Sequence, residues 1–225
     1  MFFLLMQSTA QETQRFYLSG TDKDHTKTWD FYCSEGRKSG KWDKIEVPSQ
    51  WELQGFGTYH YGQSKPKTAE TGTYRTSFLA PKVWKEQSLK LVFEGVMTDT
   101  EVMLNGKPVG EKHQGSFYRF SYNISGLVKY GAQNKLEVKV SKLSSDASVN
   151  RAERESDYWV FGGIFRPVYI ERTPKTHIGR IALDARATGD FLLEVYPENA
   201  TAGDQVTAQI YTLSGEKAGN SFSEV

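Results

Sequence analysis

Three carboxylates have the residue type and the spacing that most resemble a catalytic acid/base arrangement in this sequence. Glu153, Glu155 and Asp157 recur at every second position, so an extended segment would place all three on one face. Two carboxylates about 5–5.5 Å apart can hydrolyse a glycosidic bond with retention of configuration. However, Arg151 and Arg154 lie among them, and charges of alternating sign are typical of a solvated loop. The segment by itself therefore favours a surface loop over an active site.

Two aromatic clusters offer a second kind of chemistry, the binding of sugars. The rings lie in two glycine-punctuated segments, which contain Trp51, Phe56, Tyr59, His60 and Tyr61 in one and Tyr158, Trp159 and Phe161 in the other. Flat rings stack against the C–H faces of sugars, while neighbouring polar side chains bind hydroxyl groups. The same rings could instead form the core of a sandwich or a domain interface. Composition alone favours the core.

Other functional classes find little support in the sequence. Lys and Arg number 28 against 27 Asp and Glu, and no basic stripe is visible, so we expect no nucleic-acid partner. Cys33 is the single cysteine, and the four histidines show no metal-ligand spacing. No stretch approaches the about 20 apolar residues of a membrane span, so we expect no membrane partner. Phosphate-binding loops and nucleophile elbows are also absent from the sequence.

The elements that must position these residues are predicted to be strands. Apolar and polar residues alternate with a period of two, as in a half-buried antiparallel strand over residues 135–141. Asn105-Gly106 predicts a type I′ turn, and Pro108 limits the return strand to a sheet edge or to its first position. Only residues 124–130 look helical, for one turn at most. The fold class is therefore predicted to be all-β.

A domain boundary is predicted near Pro174, which divides the chain into residues 11–174 and 175–225. Eight or nine strands are expected in the first segment and three or four in the second. An immunoglobulin-like sandwich usually has about seven strands in about 100 residues. The second segment is therefore predicted to be a partial sandwich, with the apolar face of a sheet left uncovered.

The first ten residues resemble the end of a signal peptide. The apolar run of residues 2–6 is followed by Ser8-x-Ala10, the small-x-small form of a cleavage site, with Gln11 as the first mature residue. A basic leading region is absent, and the run is shorter than the usual length of about 7–15 residues. An irregular start or a first strand is the alternative. We expect residues 1–10 to be a signal-peptide remnant of a periplasmic or secreted protein.

Four motifs, in order, resemble the N-terminal domain of glycoside hydrolase family 2, which includes β-galactosidases. The motifs are residues 47–56 (VPSQWELQGF), 72–75 (GTYR), 93–96 with 102–110 (FEGV and VMLNGKPVG) and 157–169 (DYWVFGGIFRPVY). The resemblance implies a jelly-roll, galactose-binding-like sandwich, then an immunoglobulin-like sandwich, then a TIM barrel that holds both catalytic glutamates. A barrel needs about 250 residues of alternating strands and helices. This sequence has no such pattern, so no catalytic residue is assigned and the chain alone is expected to be inactive.

The resemblance also implies residues that contact substrate. Asp157 matches the aspartate of a D-x-W motif, which in β-galactosidases lies near the substrate hydroxyls and a sodium ion. By spacing from Trp51, Tyr61 matches a tyrosine of the first motif's loop, and Gln63 falls where the family has an asparagine in the sugar pocket. Glutamine keeps the amide group but adds a methylene, which changes its reach. Trp159 is expected to line the same pocket.

We therefore expect the non-catalytic N-terminal portion of a family 2 exo-glycosidase. Its partners would be a terminal β-linked sugar and its own downstream catalytic barrel. No cofactor is expected in this chain, and the sodium ion is expected only in the full-length enzyme. A stand-alone carbohydrate-binding module is one alternative, and a structural sandwich that serves assembly is another.

Overall fold

A computed structural model of the chain describes residues 12–63 and 69–224. The predicted signal-peptide remnant, residues 1–10, lies outside the described residues. Its assignment, and the periplasmic or secreted location inferred from it, therefore remain predictions. The described chain divides into two compact units, Thr13–Thr173 and a smaller unit that begins at Pro174.

Twelve strands and two short helices make up the described part of the larger unit. The strands are β1 (Gln14–Tyr17), β2 (Lys27–Cys33), β3 (Trp42–Val47), β4 (His60–Tyr61), β5 (Thr71–Ala80), β6 (Gln87–Phe93), β7 (Asp99–Leu104), β8 (Lys107–Pro108), β9 (Phe120–Asn123), β10 (Ala132–Ser141), β11 (Trp159–Val160) and β12 (Val168–Pro174). The helices are a 3-10 helix (Lys82–Glu86) and α1 (Ala147–Glu153). Within the described ranges, no helix has the length and apolar character that crossing a bilayer requires.

The strands of the larger unit form a jelly-roll sandwich of two sheets. The six-stranded sheet has the order β3-β2-β5-β10-β7-β8, and the four-stranded sheet has the order β1-β12-β6-β9. Both sheets contribute to one cluster of buried apolar side chains, which includes Trp29, Phe31, Tyr74 and Phe93. The predicted all-β class is confirmed. The small sheet β4-β11 is separate and joins two loops.

The hairpin between β7 and β8 has the predicted turn. Asn105 and Gly106 both have positive φ angles, 55° and 80°, as a type I′ turn requires. Pro108 lies in the edge strand β8, where its missing N–H leaves no neighbouring strand unpaired. In β10 the apolar positions are buried and the lysines exposed, so the alternation predicted for residues 135–141 is also confirmed.

The helical segments differ from the prediction. Residues 124–130 form turns, whereas Ala147–Glu153 form a true helix. Asp146 caps that helix by accepting a hydrogen bond from the backbone N of Ser148 at 2.7 Å. No residue of α1 is buried, so no apolar period of 3.6 marks it in the sequence. The extended conformation that would align the three carboxylates does not occur, because Glu153 ends this helix.

The smaller unit consists of two antiparallel hairpins in its described part. Strand β13 (His177–Ala185) pairs with β14 (Phe191–Glu198), and β15 (Val206–Tyr211) pairs with β16 (Lys217–Glu224). The prediction of three or four strands is confirmed.

Apolar side chains of the smaller unit are open to solvent, as predicted for a partial sandwich. Leu183 is 60% exposed and Phe222 is 54% exposed. An open groove of about 880 Å³ lies between the hairpins, with Phe191, Val195 and Val206 among its lining residues.

Candidate functional site

The structure brings three of the four predicted site residues together on two loops. The first loop, residues 48–63, carries Tyr61, and the second loop, residues 154–163, carries Asp157 and Trp159. Strands β4 and β11 pair the loops with Tyr61 opposite Trp159. The Tyr61 hydroxyl donates a hydrogen bond to the Asp157 carboxylate, and its ring meets the indole edge-on with centroids 5.4 Å apart. The three side chains therefore form one contiguous site.

The two loops approach each other closely at a glycine. The backbone N of Gly62 donates to the carbonyl oxygen of Tyr158 at 2.8 Å. A Cβ atom on Gly62 would collide with the carbonyl oxygen of Ser156. Glycine is therefore required for the pairing that places Tyr61 beside the second loop.

The aromatic residues divide into core and surface. Trp51 and Phe56 are buried in the sandwich core, at 0% and 2% exposure, as composition favoured. Tyr59, Tyr158 and Trp159 remain 40–54% exposed. Their rings are therefore accessible to a ligand, and only the tertiary structure distinguishes them from the buried set.

Tyr59 extends the exposed aromatic surface beside the site. Its ring meets Trp159 edge-on at 5.9 Å and Phe161 at 6.1 Å between centroids. The guanidinium of Arg37 lies 4.8 Å from the Tyr59 ring centroid and donates to the Phe56 carbonyl oxygen at 3.2 Å. These contacts pack the Tyr59 ring between Arg37 and the two neighbouring aromatic rings.

Gln63 follows β4 in an exposed turn. The five residues after it lie outside the described residues. Its predicted place in a sugar pocket therefore stays a prediction.

Sequence reasoning missed a group of buried charges beneath the two loops. Glu52, Glu70 and Lys142, named here the ion triad, are each at most 1% exposed. Lys142 Nζ lies 2.7 Å from Glu52 Oε1 and 3.3 Å from Glu70 Oε2. Charged residues are almost never buried unless they are paired. No local pattern could have revealed this group, since its members come from three separate parts of the chain.

Arg154 also contradicts the solvated loop predicted for its segment. It is 2% exposed, and it donates to the carbonyl oxygen of Phe161 at 3.0 Å and to Ser116 Oγ at 2.6 Å. Burial lowers the pKa of its guanidinium to about 10. The residue therefore anchors the second loop instead of exposing charge to solvent.

Asp157 controls the ionisation of Tyr61. The hydrogen bond that the phenol donates to Asp157 raises the pKa of Tyr61, and the repulsion between a phenolate and the carboxylate acts in the same direction. The Tyr61 hydroxyl is therefore the donor of this hydrogen bond and engages one carboxylate oxygen of Asp157.

Asp157→Asn is expected to lower the pKa of Tyr61 towards the value of an ordinary tyrosine, because it removes the charged hydrogen-bond acceptor and its repulsion of a phenolate, the two causes of the shift that come from Asp157. The measurement is a pH titration of ¹³Cζ-labelled tyrosine by NMR, with the Tyr61 signal assigned through Tyr61→Phe. Asp184→Asn, an exposed aspartate of the smaller unit, is the matched control and should change nothing. A Tyr61 pKa that is the same in Asp157→Asn and in the wild type would contradict this contact.

Among the three residues of this site, Asp157 carries the carboxylate, whose oxygen atoms are suited to binding a hard metal cation. Within the described ranges, no group of three or more His, Cys, Asp or Glu side chains is arranged to hold a metal ion. A carboxylate oxygen is a hard ligand of the kind that such cations prefer.

A jelly-roll sandwich that presents exposed rings and a carboxylate from two loops has the architecture of a carbohydrate-recognising domain. The chain belongs to glycosyl hydrolases family 2, because the model of that family's sugar binding domain matches residues 14–174. The family predicted from the motifs is thus confirmed. The part of the family that matches is the non-catalytic N-terminal portion.

Named relatives agree with this assignment. A β-galactosidase from Priestia megaterium is 35% identical over 153 residues, which are 61% of this chain and 14% of the relative. A β-glucuronidase from Bacteroides fragilis is 28% identical over 202 residues, which are 88% of this chain and 26% of the relative. In fold, the chain resembles a calcium binding mutant of Bacteroides uniformis β-glucuronidase 2, with a TM-score of 0.70, 22% identity and coverage of 95% of this chain and 26% of that one. The chain thus spans between 14% and 26% of the length of these relatives.

Proposed function

We propose that this chain is the sugar-contacting, non-catalytic portion of a family 2 exo-glycosidase that acts on a terminal β-linked sugar. The observation that supports this most strongly is the joint placement of Tyr61, Asp157 and Trp159 on two paired loops. The proposed partner of the site is a catalytic barrel further along the same protein.

The chemistry of the three side chains suits a sugar. The indole of Trp159 is 54% exposed and can stack on the C–H face of a pyranose ring. Asp157 can accept hydrogen bonds from sugar hydroxyls, each contributing about 1.5–3 kcal/mol because the acceptor is charged. Tyr61 holds that carboxylate in one orientation, so less ordering is needed when the sugar binds.

Hydrolysis is proposed to depend on groups outside this chain. Glu153 accepts a hydrogen bond from the backbone N of Ser116 at 2.9 Å, and Asp157 accepts one from Tyr61. Each of these carboxylates is therefore bonded to a partner within this chain, and neither is proposed to act as the catalytic acid or base. We also propose that Asp157 supplies one oxygen ligand to a sodium ion in the complete enzyme.

Asp157→Asn, made in the protein that includes its catalytic domain, is expected to reduce kcat/KM by about tenfold or more, since a charged acceptor becomes a neutral one. The measurement is hydrolysis of nitrophenyl β-glycosides of galactose, glucuronic acid and mannose. Asp184→Asn is the matched control in the smaller unit. Activity equal to that of the wild type on every glycoside would sink the proposal for Asp157.

Calorimetry on this chain alone separates the proposal from a stand-alone binding module. The exposure of Trp159 favours the module as the second candidate. The proposal predicts no measurable heat with galactose, glucuronate or mannose, because a pocket completed by another domain binds weakly without it. Binding in the millimolar range or tighter, lost in Trp159→Ala, would favour the module.

A further inference from the structure

Two members of the ion triad lie at the ends of paired strands of the six-stranded sheet. Glu70 directly precedes β5, Lys142 directly follows β10, and these strands are paired with Thr71 opposite Ser141. The backbone N of Lys142 donates to the carbonyl oxygen of Glu70 at 3.0 Å, which continues the ladder by one more bond. Two members of the triad are therefore fixed by the six-stranded sheet, independently of the loops.

From this base, the triad holds the first loop at two points. Lys142 Nζ lies 2.7 Å from the Glu52 carboxylate and donates to the carbonyl oxygen of Thr58 at 2.5 Å. Between these points the chain passes directly over the charges at Gly57, where a Cβ atom would lie 2.6 Å from Glu70 Oε2. One ammonium group thus sets the path of the segment that leads to Tyr61.

The same triad also holds the second loop. Both carboxylate oxygens of Glu52 accept from the backbone N of Gly162, at 3.1 and 3.2 Å. Gly162 lies three residues after Trp159, and its carbonyl oxygen accepts from the backbone N of Trp51 at 3.1 Å. Glu52, itself a residue of the first loop, is therefore bonded both to Lys142 and to the second loop.

The burial of charges is by itself weak evidence of a role in stability. Desolvation of three charged groups is costly, and well-packed apolar residues often serve as well or better. Burial raises the pKa of Glu52, although Lys142 and the Gly162 N–H both favour its carboxylate form. Buried charges also restrict the local structure, because each must be paired and only one arrangement of the surrounding groups pairs them all.

We propose that Glu52 and Lys142 are positioning residues, which set the register between the two loops and thereby hold Tyr61 against Asp157 and Trp159. The structural part of this proposal stands on the contacts of the triad. Its consequence for sugar recognition rests on the proposed function.

Lys142→Met tests the register directly, because methionine keeps the length of the side chain and removes its charge. In the full chain, we expect the pKa of Tyr61 to fall towards that of an ordinary tyrosine. We also expect the NOE between the Tyr61 and Trp159 rings to be lost, although the hydrogen bonds and ion pairs of the Lys142 ammonium are to Glu52, Glu70 and Thr58. The Trp29 indole signal of the core should keep its chemical shift. A Lys142→Met protein that is folded, with the Tyr61 pKa and the NOE unchanged, would overturn the proposal.

Two further variants keep the test decisive. Glu52→Gln retains an acceptor for the Gly162 N–H and lacks the charge, so it should shift the Tyr61 pKa in the same direction by less. If Lys142→Met fails to fold, Glu52→Gln replaces it as the test. An unchanged Tyr61 pKa in Glu52→Gln would then overturn the proposal. Lys44→Met removes an exposed lysine that pairs with Asp30 at 2.5 Å, and as the matched control it should change neither signal.

These readouts need no sugar, so the two proposals can fail separately. If Lys142→Met disturbs the loops while Asp157→Asn leaves hydrolysis by the complete enzyme unchanged, the positioning role stands and the proposed function falls. If the proposed function also holds, Lys142→Met should lower kcat/KM in the complete enzyme by at least the factor seen for Tyr61→Phe.

Discussion

Trp51→Ala is expected to cost about 3–5 kcal/mol of the free energy of unfolding of the larger unit. The indole is completely buried and packs against Phe31 with ring centroids 6.0 Å apart. It also fills the space between two glycines, since a Cβ on Gly72 would lie 2.8 Å from Trp51 Cζ3 and one on Gly162 would be closer still. Alanine would leave a cavity that these backbones cannot easily close.

Urea unfolding followed by tryptophan fluorescence measures this loss. All five tryptophans of the chain, at positions 29, 42, 51, 84 and 159, lie in the larger unit, so the signal reports on that unit. Trp159→Ala is the matched control and should cost about 1 kcal/mol or less, because that side chain is largely exposed. Equal losses in the two variants would contradict the core position of Trp51.

Gly162→Ala is expected to be nearly as damaging, at about 3 kcal/mol, because it overpacks the same contact. The new Cβ would lie 2.5 Å from Trp51 Cε2 and closer to two further ring atoms. The second loop would have to move away from the core, which would also stretch the bonds between Gly162 and Glu52. Urea unfolding gives the stability, and the Tyr61 titration reports the movement of the loop.

A double-mutant cycle identifies the cause of that loss. Trp51→Phe shortens the ring that the new Cβ would strike, so Gly162→Ala should cost less in this background, with a coupling energy of about 1 kcal/mol or more. Gly126→Ala is the control, since Gly126 is exposed and no atom lies within 4 Å of a Cβ placed there. An identical cost of Gly162→Ala in both backgrounds would show that the indole is not what excludes the side chain.

Features with a local physical cause could be predicted from the sequence. The Asn105-Gly106 turn requires positive φ at two successive residues, and few other dipeptides tolerate this. The alternating burial of residues 135–141 also followed from the local sequence. In β6, however, the consecutive residues Leu91, Val92 and Phe93 are all buried, because both faces of that strand are covered and a period of two appears only where one face meets solvent.

The candidate site could be predicted only in part. Asp157 and Tyr61 are 96 residues apart in sequence, and it was the family resemblance that named both. Their contact, and the ion triad beneath it, depend on long-range pairing that periodicity does not encode. Arg154 shows the limit most clearly, because its charged neighbours predicted solvent and the fold instead buried its guanidinium.

The close packing of Trp51 against Gly162 limits which residues of such a domain can change during evolution. Trp51 belongs to the hydrophobic core of the sandwich, and Gly162 of the second loop packs directly on it. Substitutions at either residue therefore destabilise the fold, and selection removes them before they can alter recognition. Gln63 and Trp159 are exposed and carry no such constraint. Under the proposed function, new sugar preferences are therefore expected to arise at such exposed positions, while the buried contact between Trp51 and Gly162 stays unchanged.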